Sequence, residues 1–278
     1  MRNWLKNQHV ILSGASGGIG RELCKILIVR YGANVIGIGR NEEKMRSLQA
    51  ELGENASKFS YFLFDVSSRE AWLHFKAQLL SQNISPRLLI NNAGAFPTFE
   101  KTLQTEVETF ERIMQTNYFS IVYAVDALTP ILSGEGKDKP AIVNIASSAA
   151  LCTVCGTSAY SASKAAVKSY TEALAMEEKG RKYIGLICPG TTATELFAAD
   201  ENTKNSALDL IAMPAVKMAK KIAKKILKKR RRAVLGWDAK AMNLSTRAMP
   251  VKGLFFISGV MKASKSKVFS KVFEYKKQ

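Results

Sequence analysis

Cysteine and histidine are scarce in this chain, with 4 and 2 copies. Cys24, Cys152, Cys155 and Cys188 are too few to staple 278 residues with a disulfide framework. Cys152 and Cys155 have CxxC spacing, which raises redox chemistry or half of a zinc site. No second such pair exists, and His9 and His74 lie far away in sequence. Two small side chains in a loop is the plainer reading. Apolar runs stay well below the roughly 20 residues that a bilayer span needs. No signal peptide is visible, because the first nine residues are polar and a strand-like run starts at Val10. Internal repeats and flexible linkers are also lacking. The length of 278 residues is enough for one α/β domain with a large core, expected in a reducing cytoplasm.

Acidic residues are missing from one end only. Residues 1–216 hold 22 Lys and Arg against 21 Asp and Glu, whereas residues 217–278 hold 19 against 2. The body is near neutral and the tail carries the net charge of +18. A nucleic-acid partner is therefore not expected: the body lacks the basic surface and no recognised nucleic-acid motif occurs.

What is present is an alternation of short apolar runs with helical patterns, the mark of βαβ units and a parallel sheet. The runs predict strands at Val10–Ser13, Asn34–Gly39, Ser60–Phe64, Leu88–Asn91, Ala141–Ala146, Ile184–Cys188 and Ala233–Gly236. Helices are predicted over Ile19–Tyr31, Glu42–Leu52, Thr105–Leu132 and Ser161–Lys179. A fifth covers Lys217–Arg232, where Val216, Ala219, Ile222, Ala223, Ile226 and Leu227 recur on one face. The fold class is α/β, a doubly wound Rossmann-type parallel sheet of about seven strands with helices on both faces. The pattern breaks over about 191–215, the expected substrate-binding segment.

Ser13 to Gly20 joins the first strand to the first helix through four glycines, Gly14, Gly17, Gly18 and Gly20. Such a turn lets the backbone approach a pyrophosphate, and the helix N-terminus offers it free N–H groups. The second strand ends at Gly39-Arg40. An acidic residue there would hold the ribose 2′-hydroxyl of NAD, whereas a guanidinium suits a 2′-phosphate. Arg40 thus predicts NADP(H). Tyr160 and Lys164 stand at i and i+4 on one helix face. A nearby ammonium is expected to lower the phenol's pKa and ease proton exchange.

With these pieces in order, residues 8–237 resemble the short-chain dehydrogenase/reductase family. The family's TGxxxGxG matches Ser13, Gly14, Gly18 and Gly20, with Ser in place of Thr. Its NNAG matches Asn91, Asn92, Ala93 and Gly94, and Asp65-Val66 matches the pair that contacts adenine. Pro189-Gly190, with Thr192 and Thr194, matches the segment that meets the nicotinamide. The resemblance implies a catalytic set of Asn117, Ser147, Tyr160 and Lys164. Ser147 is preferred over Ser148 because it precedes Tyr160 by the family's usual spacing. The implied cofactor-binding set is Gly14, Ser16, Gly17, Gly18, Ile19, Gly20, Arg40, Asp65, Val66, Asn92, Ala93, Gly94, Tyr160, Lys164, Pro189, Gly190, Thr192 and Thr194.

The implied activity is interconversion of a carbonyl and an alcohol, with Tyr160 as acid and base, Ser147 holding the substrate oxygen and Lys164 on the nicotinamide ribose. Asn117 would hold a relay water. Phe96, Pro97, Leu196, Phe197 and the loop Leu151–Ser158 suggest a roomy apolar site for a steroid, fatty-acyl or other lipid-like ketone. Homodimers or homotetramers are implied. The alternatives are a non-catalytic dinucleotide-binding scaffold, which has no need of the full catalytic set, and a membrane-associated 3-oxoacyl- or sphingoid-type ketone reductase.

The sequence after Trp237 runs beyond the family core as a basic, apolar extension, residues 238–278. Met249–Met261 is apolar with basic flanks. Two readings stand: attachment of the tail to an anionic surface on the cytoplasmic membrane face, or a subunit contact or hydrophobic strap across the substrate site.

Overall fold

The computed structural model describes residues 3–194 and 211–273. Seven parallel strands make the main sheet: β1 (His9–Ser13), β2 (Asn34–Gly39), β3 (Phe59–Leu63), β4 (Leu88–Asn91), β5 (Ala141–Ile145), β6 (Tyr183–Pro189) and β9 (Arg232–Leu235). Their order is β3-β2-β1-β4-β5-β6-β9. The chain winds outward in both directions from β1, which pairs with β2 on one side and β4 on the other. At that switch point the crossovers part, leaving a crevice beyond the carboxyl ends of the strands. Two-residue strands β7 (Thr192–Ala193) and β8 (Met213–Pro214) pair separately, at the two ends of the segment predicted to bind substrate.

The strands are apolar runs because both faces of the sheet are covered. One layer holds α1 (Gly18–Lys25), α2 (Glu42–Glu51) and α7 (Ala215–Leu227). Leu23, Leu27, Met45, Leu48, Ile222 and Ile226 pack there against Val10, Leu12, Val35 and Ile90. The other layer holds α3 (Arg69–Ser81), α5 (Ser120–Leu128) and α6 (Ser158–Glu177). Trp72, Phe75, Leu79, Leu128 and Val167 pack there against Ile11, Ile36, Leu89 and Ile142.

The basic helix α7 is explained by this packing. Met218, Ala219, Ile222, Ala223, Ile226 and Leu227 face the core and its lysines face water. Val216, expected on the apolar face, is instead exposed beside the helix start. The long predicted helix over residues 105–132 is divided. It comprises α4 (Val107–Met114), a π-helical turn at Gln115–Phe119 and α5. Helix α3 has no counterpart among the predictions. Its apolar residues are interleaved with polar ones around most of the circumference, so no clean stripe marks it.

Beyond β9 the chain forms two more helices, α8 (Trp237–Ala248) and α9 (Lys252–Ala263), then a 3₁₀ turn at Lys267–Phe269. They close over a third, smaller core of Phe96, Phe99, Ala149, Tyr160, Met261, Val268, Phe269 and Val272. Among the described residues no helix is long and apolar enough to cross a membrane.

Candidate active site

A cavity of about 940 Å³ opens beyond the carboxyl ends of the strands. Its nucleotide-like end begins at the β1–α1 turn. Gly14 has φ 68°, and a Cβ there would press within 2.9 Å of the Ala93 backbone. Only glycine combines that left-handed conformation with that approach. Ser13, standing where the family has threonine, bonds the two loops together: its Oγ accepts from Asn92 N at 3.0 Å and from Ala93 N at 3.1 Å. The Asn92 amide returns a bond to Ser13 O at 3.1 Å. Gly14, Ser16, Gly17, Gly18 and Ile19 from the turn, and Asn92, Ala93 and Gly94 after β4, all line the cavity.

At the far rim stand Arg40 after β2 and Asp65 and Val66 after β3. Arg40 is mostly exposed and reaches Asp65 Oδ2 at 3.4 Å. Burial would raise the Asp65 carboxyl, but the Ser67 N–H and hydroxyl, with Arg40, outweigh it and hold it below its ordinary value. The guanidinium therefore keeps most of its donors toward solvent at the mouth. A glycine cradle at a helix N-terminus and a rim arginine fit a phosphorylated dinucleotide with a 2′-phosphate.

The catalytic set converges at the centre. Ser147 follows β5, and Tyr160 and Lys164 project from the first turns of α6. All three line the cavity and are nearly buried. Burial pushes the Tyr160 phenol above its ordinary pKa, and the hydrogen bond with Ser147 opposes this. Lys164 Nζ lies 5.8 Å from the Tyr160 ring centre. It donates to Ile145 O at 3.4 Å, and burial drives its pKa down to about 8. The phenol's net shift is thus upward, the reverse of the lowering expected from the ammonium, because desolvation is the largest cause. Desolvation wins for both groups, and the phenol stays protonated at neutral pH.

Asn117 is completely buried in the π-helical turn and does not line the cavity. Its Oδ1 accepts from Ala95 N at 2.7 Å, while Nδ2 donates to Ala95 O at 3.0 Å and Ser163 Oγ at 3.0 Å. The side chain is a clamp between the loop after β4 and α6. Gly20 is likewise buried inside α1 and away from the cavity. Every other residue in the two predicted sets lines it, including Pro189, Gly190, Thr192 and Thr194.

Asp238, in the first turn of α8, escaped the sequence reading. It is buried, and Oδ2 accepts from Thr191 N at 2.6 Å. A Cβ at Gly190 would run into this carboxylate. Asp238 therefore anchors the Pro189-Gly190 turn and ties the last helices to it. The available signal was an acidic residue in a region that has only 2.

The remaining wall is mostly apolar. Phe96 stacks edge-on to Tyr160 at 5.2 Å between ring centres, and to Phe99 in a tilted contact at 5.0 Å. Ala241, Met242, Ile257, Val260, Met261 and Phe269 supply the opposite side. The strap reading of the C-terminal segment therefore describes one face of it. From the loop predicted to line the site, only Val154 and Thr157 do so. Pro97 is half-buried elsewhere, and Leu196 and Phe197 lie outside the described residues. Cys152 and Cys155 are free thiols, the first buried and the second exposed. Among the described residues no cluster could hold a metal ion.

The sequence model described as short chain dehydrogenase matches residues 8–205. The chain is 30% identical over 217 residues to 3-ketodihydrosphingosine reductase of Dictyostelium discoideum, covering 72% of this chain and 64% of that one. It thus spans less than two thirds of that relative's length. It is 29% identical over 233 residues to a fatty acyl-CoA reductase of Acinetobacter baylyi, covering 80% and 77%. Among solved structures, a short-chain dehydrogenase from Shigella flexneri 2a complexed with NADP superposes with a TM-score of 0.74. It shares 25% identity and covers 86% of this chain and 100% of that one.

Proposed function

The chain belongs to the short-chain dehydrogenase family, and from that premise we propose that it is an NADP(H)-dependent reductase of an apolar ketone or aldehyde. The observation that carries this reading is one cavity holding three things at once. A glycine turn with a rim arginine lies at one end, Ser147, Tyr160 and Lys164 at the centre, and a wall of Phe96, Met242, Ile257 and Met261 at the other end.

The turn Gly14–Ile19, Arg40, Asp65-Val66, Asn92–Gly94 and Pro189–Thr194 would hold the cofactor. NADPH, when bound there, would supply the hydride for the carbonyl carbon, which is the cofactor's own chemistry. Ser147 Oγ–H holds the carbonyl oxygen in line. The Tyr160 phenol donates its proton to that oxygen, and the carbonyl becomes an alcohol. Lys164 stabilises the phenolate left behind, in a buried site where one charge acts strongly. A phenol kept protonated by burial is matched to reduction, in which it must arrive holding its proton. The reverse reaction needs the phenolate and is favoured by alkaline pH. Asn117 and Asp238 act through others: one fixes the loop after β4 against α6, the other fixes Gly190.

The relatives' printed names, an acyl-CoA reductase and a ketodihydrosphingosine reductase, support a substrate with a long apolar part. A steroid is the other candidate substrate for the same wall. A homodimer or homotetramer and peripheral attachment to anionic membrane complete the reading. A scaffold without turnover is disfavoured by the joint placement of Ser147, Tyr160 and Lys164 in the cavity. The test is NADPH consumption with acyl, steroid and small aromatic ketones. Turnover with at least one apolar ketone, lost in Tyr160→Phe, is expected. Normal turnover in that variant contradicts the mechanism.

A further inference from the structure

We propose that the outer face of α9 docks on an anionic lipid bilayer, so that the apolar cavity takes its substrate from the membrane side. This rests on reading the cavity as the substrate site. It assigns the membrane contact to one helix face and not to the basic helix α7, whose apolar side is already buried in the core.

The helix has two apolar faces. Gly253, Ile257 and Met261 recur at i, i+4 and i+8 and turn inward. Ile257 and Met261 line the cavity, and Gly253 packs against the backbone of Ser245 on α8. Phe255 and Phe256 point away and are 74% and 61% exposed. Val251, just before the helix, and Leu244 and Met249, at the end of α8, are exposed beside them in sequence. Single exposed apolar side chains need no explanation, but a run of them on two consecutive helices marks an interaction surface.

Charge selects the occupant. Between residues 237 and 273 there are seven Lys or Arg and one acid, Asp238. That acid is buried against Thr191 N. Lys252 and Lys262 fall on the same side of the helix as Phe255 and are exposed. Aromatics set among lysines, with no exposed acid among the described residues of this region, match the boundary between acyl chains and anionic headgroups. Protein interfaces, by contrast, are depleted of lysine at their cores. A 12-residue helix is too short to span and would lie in the interface plane. Val260 links the two faces: it lines the cavity and is also 54% exposed. The rim of the apolar cavity therefore adjoins the proposed membrane contact.

The experiment is flotation of the full chain with vesicles of phosphatidylcholine alone or mixed with phosphatidylglycerol, at low and high salt. Binding is expected to the mixed vesicles at low salt and to weaken as salt rises. Phe255→Ser with Phe256→Ser, and separately Lys252→Glu with Lys262→Glu, should each weaken it about tenfold. Both pairs lie outside the cavity lining, so NADPH turnover of a short, water-soluble ketone should persist. Turnover of a long-chain ketone supplied in the mixed vesicles should fall. The proposal is overturned if the wild-type chain stays unbound or the Phe pair floats like wild type. It is also overturned if the Phe pair instead changes the native mass, which would give this face to a second copy of the chain. Vesicle binding is read without catalysis. Failure of NADPH turnover on every soluble ketone would overturn the enzymatic reading alone.

Discussion

The two ends of the cavity are built by opposite means. The cofactor end is made of backbone and short polar side chains from residues adjacent in sequence: Gly14–Ile19, Asn92–Gly94, and Ser13 bonding one to the other. The substrate end is made of side chains far apart in the chain, with Phe96 and Phe99 meeting Met261 and Phe269. Backbone geometry demands particular residues at particular spacings, and so leaves a motif. Apolar walls demand only volume and hydrophobicity, which many sequences satisfy. Between the two lies a third regime, where Tyr160 and Lys164 are chemically fixed yet buried against their own charge.

That buried centre gives the largest expected effect. Lys164→Met should lower turnover by about 10³-fold, in line with loss of a group that supports proton transfer. The same change should raise stability at pH 7 by about 2 kcal/mol, because it removes a buried ammonium with no carboxylate partner among the described residues. The lowered Lys164 pKa fixes the sign. The cost of burying the ammonium is full below pH about 8 and fades as pH rises through 8 toward the unfolded value. Thermal melts of both proteins between pH 6 and 10 measure this, and their curves should converge on the alkaline side. Reductive kcat/KM in the wild type should likewise fall above pH about 8, as the ammonium is lost. A flat profile to pH 10 would detach Lys164 from the chemistry.

The cofactor end is probed next. Arg40→Asp should shift the preference between NADPH and NADH by about 100-fold toward NADH. This corresponds to loss of a charge-assisted phosphate contact and gain of a ribose acceptor. An unchanged ratio of kcat/KM values would leave Arg40 as a solvent-facing partner of Asp65. Asp238→Ala should cost about tenfold in kcat/KM through the freed Thr191 N and a looser Gly190 turn. Asp238→Asn should restore part of it, since an amide oxygen can still accept that bond. The smallest effect belongs to the wall. Ile257→Ala should raise KM for a long-chain ketone by a few-fold, roughly the worth of the lost methylenes, while a short ketone is unaffected. Equal effects on both would mean that α9 supports the fold without touching substrate.

The sheet was legible because a parallel strand buried on both faces is a short apolar run between turn residues. Each predicted strand lies within one residue of the observed one at either end. The turn at Gly14 and the i, i+4 spacing of Tyr160 and Lys164 were legible for the geometric reason given above. Burial was not, and the Tyr160 phenol is therefore shifted in the direction opposite to that expected from its neighbour's charge alone. Asn117 had a recognisable place but not a recognisable partner: its bonds to Ala95 and Ser163 depend on how the π-helical turn rotates it. The helices α8 and α9 carry apolar residues on two faces, so their periodicity is blurred. One face meets the cavity and the other meets solvent.

The most direct measurement follows deuterium from NADPH labelled at the nicotinamide C4 into the alcohol formed from a long-chain ketone, with Tyr160→Phe run beside it. The account predicts one deuterium on the carbinol carbon with the wild-type chain and a rate about 10³-fold lower with the variant. NADPH oxidation without deuterium in the alcohol, or equal rates from the two proteins, would contradict it.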